Sequence, residues 1–231
     1  MEEILAGLEQ AIRLLLSIDP QVSRIVQLSL RVSGLALLIS TLLGIPLGAW
    51  LGLRKFRGRG LLVVFIYTGM GFPPVVVGLF VYLLLSRSGP LGVLNWLYTP
   101  SAMVLAQVVI SLPLVAGFTM AAVMGVDPEL RTQLLSLGAT ERQATWALLR
   151  EARLGVLVAI VAGFGSIISE VGAVMMVGGN IERSTRVLTT AIVLETSKGN
   201  FDLAIALGII LLSIAFLVNL LMFRLQKGAF R

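Results

Sequence analysis

No cysteine and no histidine occur in the 231-residue chain, and only 13% of its residues carry charge. The first absence removes thiolate chemistry and, with the second, the usual zinc and haem ligands; the lack of histidine also removes the ordinary proton shuttle near neutral pH. The scarcity of charge excludes more, because a soluble globular chain is about 25% Asp, Glu, Lys and Arg. No G-x-x-x-x-G-K-[ST] stretch is present either, so the chain cannot hold ATP by that phosphate loop. What is abundant is apolar: 57% of residues are hydrophobic and the mean hydropathy is +0.97. This is the composition of a membrane protein. In a soluble chain the net charge of +6 would suggest nucleic acid, but here the basic residues cluster between apolar runs and act as topology signals.

A bilayer-crossing helix needs about twenty predominantly apolar residues. Five stretches qualify, 25–53, 61–85, 102–124, 154–177 and 203–223, which predicts an all-α integral membrane protein with five transmembrane helices. A sixth apolar patch, 187–194, is too short to span and reads as a re-entrant or interfacial helix. With five spans, Arg54, Lys55, Arg57, Arg59, Arg131, Arg142, Arg150, Arg153, Arg224, Lys227 and Arg231 fall on one side. The other side collects Arg13, Arg24, Arg87, Arg183, Arg186 and Lys198, offset in part by acids. The bias places the N-terminus outside and the C-terminus in the cytoplasm.

Residues 1–24 form a segment distinct from the membrane domain, 25–231. Glu2 and Glu3 stand where a signal peptide would be basic, while Ile4, Leu5, Leu8, Ile12 and Leu15 recur at helical spacing. The pattern is that of an amphipathic helix lying on the outer face. The longest hydrophilic stretch, 125–153, is too short for a catalytic domain. Asp127, Pro128 and Glu129 start a helix there, Gly138 stops it, and Thr140 with Gln143 forms a capping box for a second. Leu134, Leu135 and Leu137 on this water-facing hairpin either pack back onto the subunit or form a knob for a partner's groove.

The hairpin resembles the glycine-centred cytoplasmic loop of permeases from binding-protein-dependent ABC importers, in which E-A-A, three residues and Gly precede a hydrophobic I-x-L-P. Gly138 matches the glycine, Thr132, Gln133 and Leu134 occupy the E-A-A positions, and Leu148, Leu149, Arg150 and Glu151 stand in place of I-x-L-P. Ser169-Glu170-Val171-Gly172-Ala173, Gly178-Gly179-Asn180, the run from Thr185 to Ile192, and Gly199-Asn200-Phe201-Asp202 resemble the oxyanion branch of that family, which carries molybdate, sulfate and tungstate. The form S-E-V-G-A with T-T-A-I-V-L-E-T-S-K-G is most similar to the tungstate permeases. The resemblance covers roughly residues 25–225.

It implies a permease subunit in the plasma (inner) membrane of a prokaryote, working as a homodimer with two copies of a cytoplasmic ABC ATPase and an extracytoplasmic oxyanion-binding protein. No cofactor is implied in this chain, since ATP is used by the partner, and no nucleic acid. Coupling to the ATPase falls to Leu134, Leu135, Gly138, Ala139, Thr140 and Glu141. The alternatives are a molybdate or sulfate permease and, more remotely, a non-transporting scaffold or an intramembrane enzyme built on Glu170, for which no second buried acid, His or Cys is available.

Glu170 falls two-thirds of the way along the fourth apolar stretch. An ionised acid there costs about 2.5–3.5 kcal/mol on insertion scales, which the twelve Leu, Ile, Val and Phe residues of the stretch offset. A carboxylate repels an oxyanion, so Glu170 reads as a packing group beside the translocation path, or as a helix–helix hydrogen bond with no transport role. Hydroxyls, amide dipoles and helix N-termini are better partners for a dianion. Ser166, Ser169, Thr189, Thr190 and Arg186 are the candidates; Ser and Thr also satisfy their own backbone, and Arg186 can snorkel. Arg31, about two turns inside the first span, reads as an anion relay or a second snorkelling side chain. Pro46, Pro73, Pro74 and Pro113 break ideal helix in three spans, as a bending gate or as static kinks.

Overall fold

The computed structural model describes Glu9 and residues 19–228, with side chains omitted at Pro128 and 225–228. The amphipathic segment expected before residue 19 therefore lies, apart from Glu9, outside the described residues. All regular structure described is helical: α1 (Pro20–Leu53), α2 (Arg59–Met70), α3 (Pro74–Leu85), a 3-10 turn (Gly92–Leu94), α4 (Pro100–Met124), α5 (Pro128–Ser136), α6 (Glu141–Glu151), α7 (Arg153–Ile168), α8 (Gly172–Gly178), α9 (Leu188–Ser197) and α10 (Phe201–Gly228).

Three helices, α1, α4 and α10, are each long and apolar enough to cross a membrane; α2 with α3 and α6 with α7 form bent pairs, giving five if each pair is one span. The bend between α6 and α7 is 66°. The chain is a multi-pass membrane protein, and its exposed Leu, Val and Phe side chains are what lipid-facing helices carry. Helix α1 starts at Pro20, five residues before the first apolar stretch, because Asp19 caps it by accepting from the amides of Gln21 and Val22 at 2.8 and 3.0 Å.

Two of the apolar stretches are not single helices. Residues 61–85 split into α2 and α3 at Gly71-Phe72-Pro73, where Pro73 is extended and Pro74 opens the next helix. Residues 154–177 split into α7 and α8 at Ser169-Glu170-Val171, so Glu170 stands in a break rather than inside a span. Conversely, Pro46 and Pro113 remain within continuous helices. Helix α9 has ten residues, about 15 Å at 1.5 Å per residue, half of what a span requires.

The described residues divide into two compact units, one built from 19–36, 73–107 and 167–221, the other from 37–72, 108–166 and 222–228. The first is built on a core of Val22 and Ile25 from α1, Leu188 and Ala191 from α9, and Leu207 and Ile210 from α10. In the same unit Gly78 of α3 meets the backbone of Ala173 on α8, a contact in which any Cβ would clash. The second unit packs α1 against α4 through Gly44, Gly48 and Gly52, whose missing side chains admit the backbone and side chains of 115–123. Ser40 and Ser111, both fully buried, link the same helices through their hydroxyls at 2.6 Å.

Candidate functional site

The hairpin of α5 and α6 is assembled from local bonds. Asp127 Oδ1 accepts from the amide of Glu129 at 2.9 Å, with Pro128 in the first helical position. At the far end Gly138 has φ +88°; its amide donates to Leu135 O and that of Ala139 to Leu134 O, both at 3.0 Å. Those are the paired bonds of a Schellman turn, and the left-handed residue is where glycine has no Cβ penalty. Thr140 then accepts from Gln143 N at 3.3 Å while Gln143 Oε1 accepts from Thr140 N at 2.8 Å, the reciprocal box expected. Arg131 clamps the helices by donating to both oxygens of Glu141 at 2.8 Å.

Six of the positions assigned to coupling thus share one turn: Leu134, Leu135 and Ala139 as its half-buried wall, Gly138 at its tip, Thr140 and Glu141 starting the return. Of the three leucines expected on the water-facing hairpin, Leu137 alone is exposed. Leu137 is 85% exposed and Trp146 71%, whereas Leu134 and Leu135 are half-buried. Trp146 is absent from the sequence-based set, although it lies on one face of α6 with Arg142 and Leu149, a spacing readable from the sequence.

The second region surrounds the break after α7. Glu170 Oε1 accepts from the amide of Ala173 at 2.9 Å, so the carboxylate caps α8. Thr189 Oγ1 donates to Glu170 O at 2.9 Å, joining α9 to the break. The amide of Leu188 donates to Ser29 Oγ at 2.8 Å, and Ser29 donates in turn to Ile25 O at 2.7 Å. Thr190 accepts from Val187 N at 3.0 Å and donates to Val187 O at 3.1 Å. The hydroxyls of Thr189 and Thr190 and the first amide of α9 are therefore occupied by the chain itself. The cavity between these groups is about 10 Å3, at the lower limit for one water and too small for an oxyanion. Ser169 is exposed at the break, and Ser166 lies half-buried on α7. The structure brings together Glu170 and Thr189; Ser29, which closes the bond system from α1, was not legible as a site residue.

The end of α9 carries an ionic latch outside the apolar stretches. Glu195 accepts from Asn200 Nδ2 and from Lys198 Nζ, each at 2.8 Å. The Asn200 bond, then the Lys198 bond and charge and the Arg186 charge, hold its carboxyl below the usual range despite opposition from burial.

Arg186 lies at the other end of this segment. Its loop is closed by Thr185, whose hydroxyl donates to Gly178 O and accepts from Ile181 N. The Arg186 side chain is 14% exposed, sits 3.9 Å from Glu182, and has a buried Nε without a hydrogen-bond partner among the described residues. It opens on a cavity of about 540 Å3 whose lining includes Arg24, Arg31, Arg183 and Glu182.

The profile of the family described as "Binding-protein-dependent transport system inner membrane component" matches residues 44–231. A probable anion ABC transporter permease protein of Haloferax volcanii is 46% identical over 202 residues, 85% of this chain and 87% of the relative. The tungstate uptake system permease protein TupB of Peptoclostridium acidaminophilum is 42% identical over 227 residues, 98% of this chain and 100% of the relative. Among solved structures, the inward-facing MetNI methionine ABC transporter superposes with a TM-score of 0.78 over 93% of this chain and 99% of its own, at 15% identity, which is a likeness of fold.

Proposed function

The chain belongs to the family of binding-protein-dependent transport system inner membrane components, and from that premise we propose that it is the subunit through which tungstate is imported. The observation that carries the substrate is the end-to-end similarity to a tungstate uptake permease. Two copies form the path, each docking one ATPase subunit, and an extracytoplasmic oxyanion-binding protein delivers the ion. The N-terminus lies outside the plasma membrane of a prokaryote and the C-terminus inside, which puts 125–153 in the cytoplasm and residues 1–24 on the outer surface.

In this arrangement the hairpin transmits force. ATP binding closes the ATPase pair, the hairpins move together, and the path alternates its access. Leu134, Leu135, Gly138, Ala139, Thr140 and Glu141 set the hairpin's shape, and the ATPase groove takes the apolar tip. Arg186 meets the ion at the outer mouth; Ser166, Ser169, Glu170, Thr189 and Thr190 shape the path, the last three through the backbone bonds that fix α8 and α9. ATP is consumed by the partner, and no cofactor is needed here.

The test is uptake by proteoliposomes holding the subunit, its ATPase and its delivery protein. Tungstate accumulation that depends on ATP and on the delivery protein, and that outcompetes molybdate and sulfate, is the expected result. Preferential uptake of molybdate or sulfate would reassign the substrate, and uptake of none of them would remove the oxyanion reading.

A further inference from the structure

The cavity beside Arg186 holds more positive charge than its carboxylates match. Arg24, Arg31, Arg183 and Arg186 line it with Asp19 and Glu182, and the Glu195 carboxylate lies within electrostatic reach of Arg186, which leaves four cations to three anions. Asp19 is already committed to two backbone amides at the start of α1. Glu182 approaches Arg186 Nη1 only to 3.9 Å, and Arg186 Nε is buried without a hydrogen-bond partner among the described residues. The side chains of Arg24, Arg31 and Arg183 make no hydrogen bond or ion pair among the described residues. A guanidinium remains charged at any accessible pH. Arg24 and Arg31 are seven residues apart on one helix, so they stand two turns apart on the same face, about 10 Å along the axis. Unmatched cations around a polar concavity focus field lines and raise the local concentration of anions.

We propose that this cavity is an oxyanion-receiving site, in which Arg24, Arg31 and Arg186 gather a divalent tetrahedral oxyanion before it enters the path. The proposal rests on the oxyanion reading above and deepens it by naming the groups that first meet the ion. The planar fork of each guanidinium presents paired N–H donors that match two oxygens of a tetrahedral anion. Arg24 and Arg31 are exposed, so their charge is screened by water and the ion is gathered without being trapped. Glu182 lowers the net charge at the point where Arg186 is most buried, which favours onward release. None of this requires the hydroxyls of Thr189 or Thr190, which are already taken.

The phosphate of a lipid headgroup has the same chemistry as a free oxyanion, so the test separates the two. The full chain is placed in nanodiscs of phosphatidylcholine alone or with added phosphatidylglycerol, and arginine modification by phenylglyoxal is followed by peptide mass spectrometry with and without tungstate. In phosphatidylcholine, tungstate is expected to slow modification of Arg24, Arg31 and Arg186 by about tenfold, the lower end of electrostatic focusing, while Arg57 and Arg142, both exposed elsewhere, react as before. Equal slowing at Arg57 and Arg142, the same protection by chloride at matched ionic strength, or protection by phosphatidylglycerol and not by tungstate would overturn the proposal. In the reconstituted importer, the double variant Arg24→Gln/Arg31→Gln is expected to lower initial uptake at limiting load about tenfold at low salt and to converge on wild type at high salt. Unchanged uptake with unchanged salt dependence would also overturn it. A wild-type complex that moves no oxyanion removes the transport reading instead, leaving the protection pattern to decide the site.

Discussion

The hairpin at 127–153 and the segment at 166–190 face one problem, ending a helix and starting another within a few residues, and solve it differently. In the hairpin every capping bond is local: Asp127 with Glu129, Thr140 with Gln143, Gly138 and Ala139 with Leu135 and Leu134. In the other segment Glu170 caps α8 locally, but its own carbonyl is met by Thr189 and the first amide of α9 by Ser29, 159 residues away. Water can complete an exposed helix end, whereas inside a bilayer a freed backbone group has to find its partner in protein. The buried acid at position 170 follows from that requirement. It replaces a hydrogen bond that the break removes, and so its cost is set against the larger one of an orphaned amide.

Removing that cap gives the largest expected effect. Glu170→Leu leaves the buried amide of Ala173 without an acceptor, which costs about 1–3 kcal/mol and lowers the thermal unfolding midpoint in nanodiscs. Glu170→Gln keeps an acceptor oxygen and recovers most of the loss. Equal destabilisation by both would show that the charge, rather than the cap, is what the break requires, and the contrast drawn with the hairpin would fail.

Gly138 tests the other side. Any L-residue there enters the left-handed region at about 1–2 kcal/mol, although there is open space around the position. Gly138→Ala therefore isolates the backbone strain, and Gly138→Trp adds bulk at the tip. The tryptophan variant is expected to insert normally, to lose transport, and to retain at most about a tenth of the associated ATPase, a tenfold loss corresponding to about 1.4 kcal/mol. Normal uptake by that variant would remove the hairpin from the docking role.

What was legible in the sequence follows the same division. The caps at Asp127 and Thr140 and the stop at Gly138 are readable because each signal lies within four residues of what it satisfies. The break at Glu170 is not, since hydropathy counts it as one acid among twelve branched or aromatic apolar residues, and Glu is a poor capping residue by type. Prolines mislead in the opposite direction: Pro113 stays in α4, with its ring packed against Gly69 at a point where a Cβ would clash. The four-residue spacing of Gly44, Gly48 and Gly52 was in the sequence, but glycine adds nothing to an apolar count and its packing role shows only where the backbone of α4 meets it. The arginines at 24 and 31 share a face by their spacing alone; that Arg186 shares their cavity needed the fold.

The latch at Glu195 predicts a smaller, pH-dependent effect. Its carboxyl titrates below the ordinary value of 4.5 in the folded chain. The charged form is therefore the favoured one, and its contribution is complete above about pH 4.5 and is lost as pH falls through the lower folded value. The protection factors of the α9 amides, exchange measured against the intrinsic rate at each pH, should be flat from neutral pH to that point and fall below it. Glu195→Gln should abolish the acid limb; a limb that persists would place the titration elsewhere.

The smallest expected effect belongs to a long-range bond of another kind. Ser40 and Ser111 share a hydroxyl pair at 2.6 Å between α1 and α4, and neither is exposed. If all distant bonds in the membrane mattered as the one at Glu170 does, Ser40→Ala would be severe. It should not be, because a hydroxyl on a continuous helix can turn back to the carbonyl four residues earlier, an option that the orphaned amide of Ala173 lacks. Interhelical bonds of this kind average about 0.6 kcal/mol by double-mutant cycles. The cycle Ser40→Ala, Ser111→Ala and both together, read from unfolding in nanodiscs, should return a coupling near that value. A coupling above about 2 kcal/mol would mean that the hydroxyl pair, like the cap at 170, holds the fold at a point where no substitute partner exists.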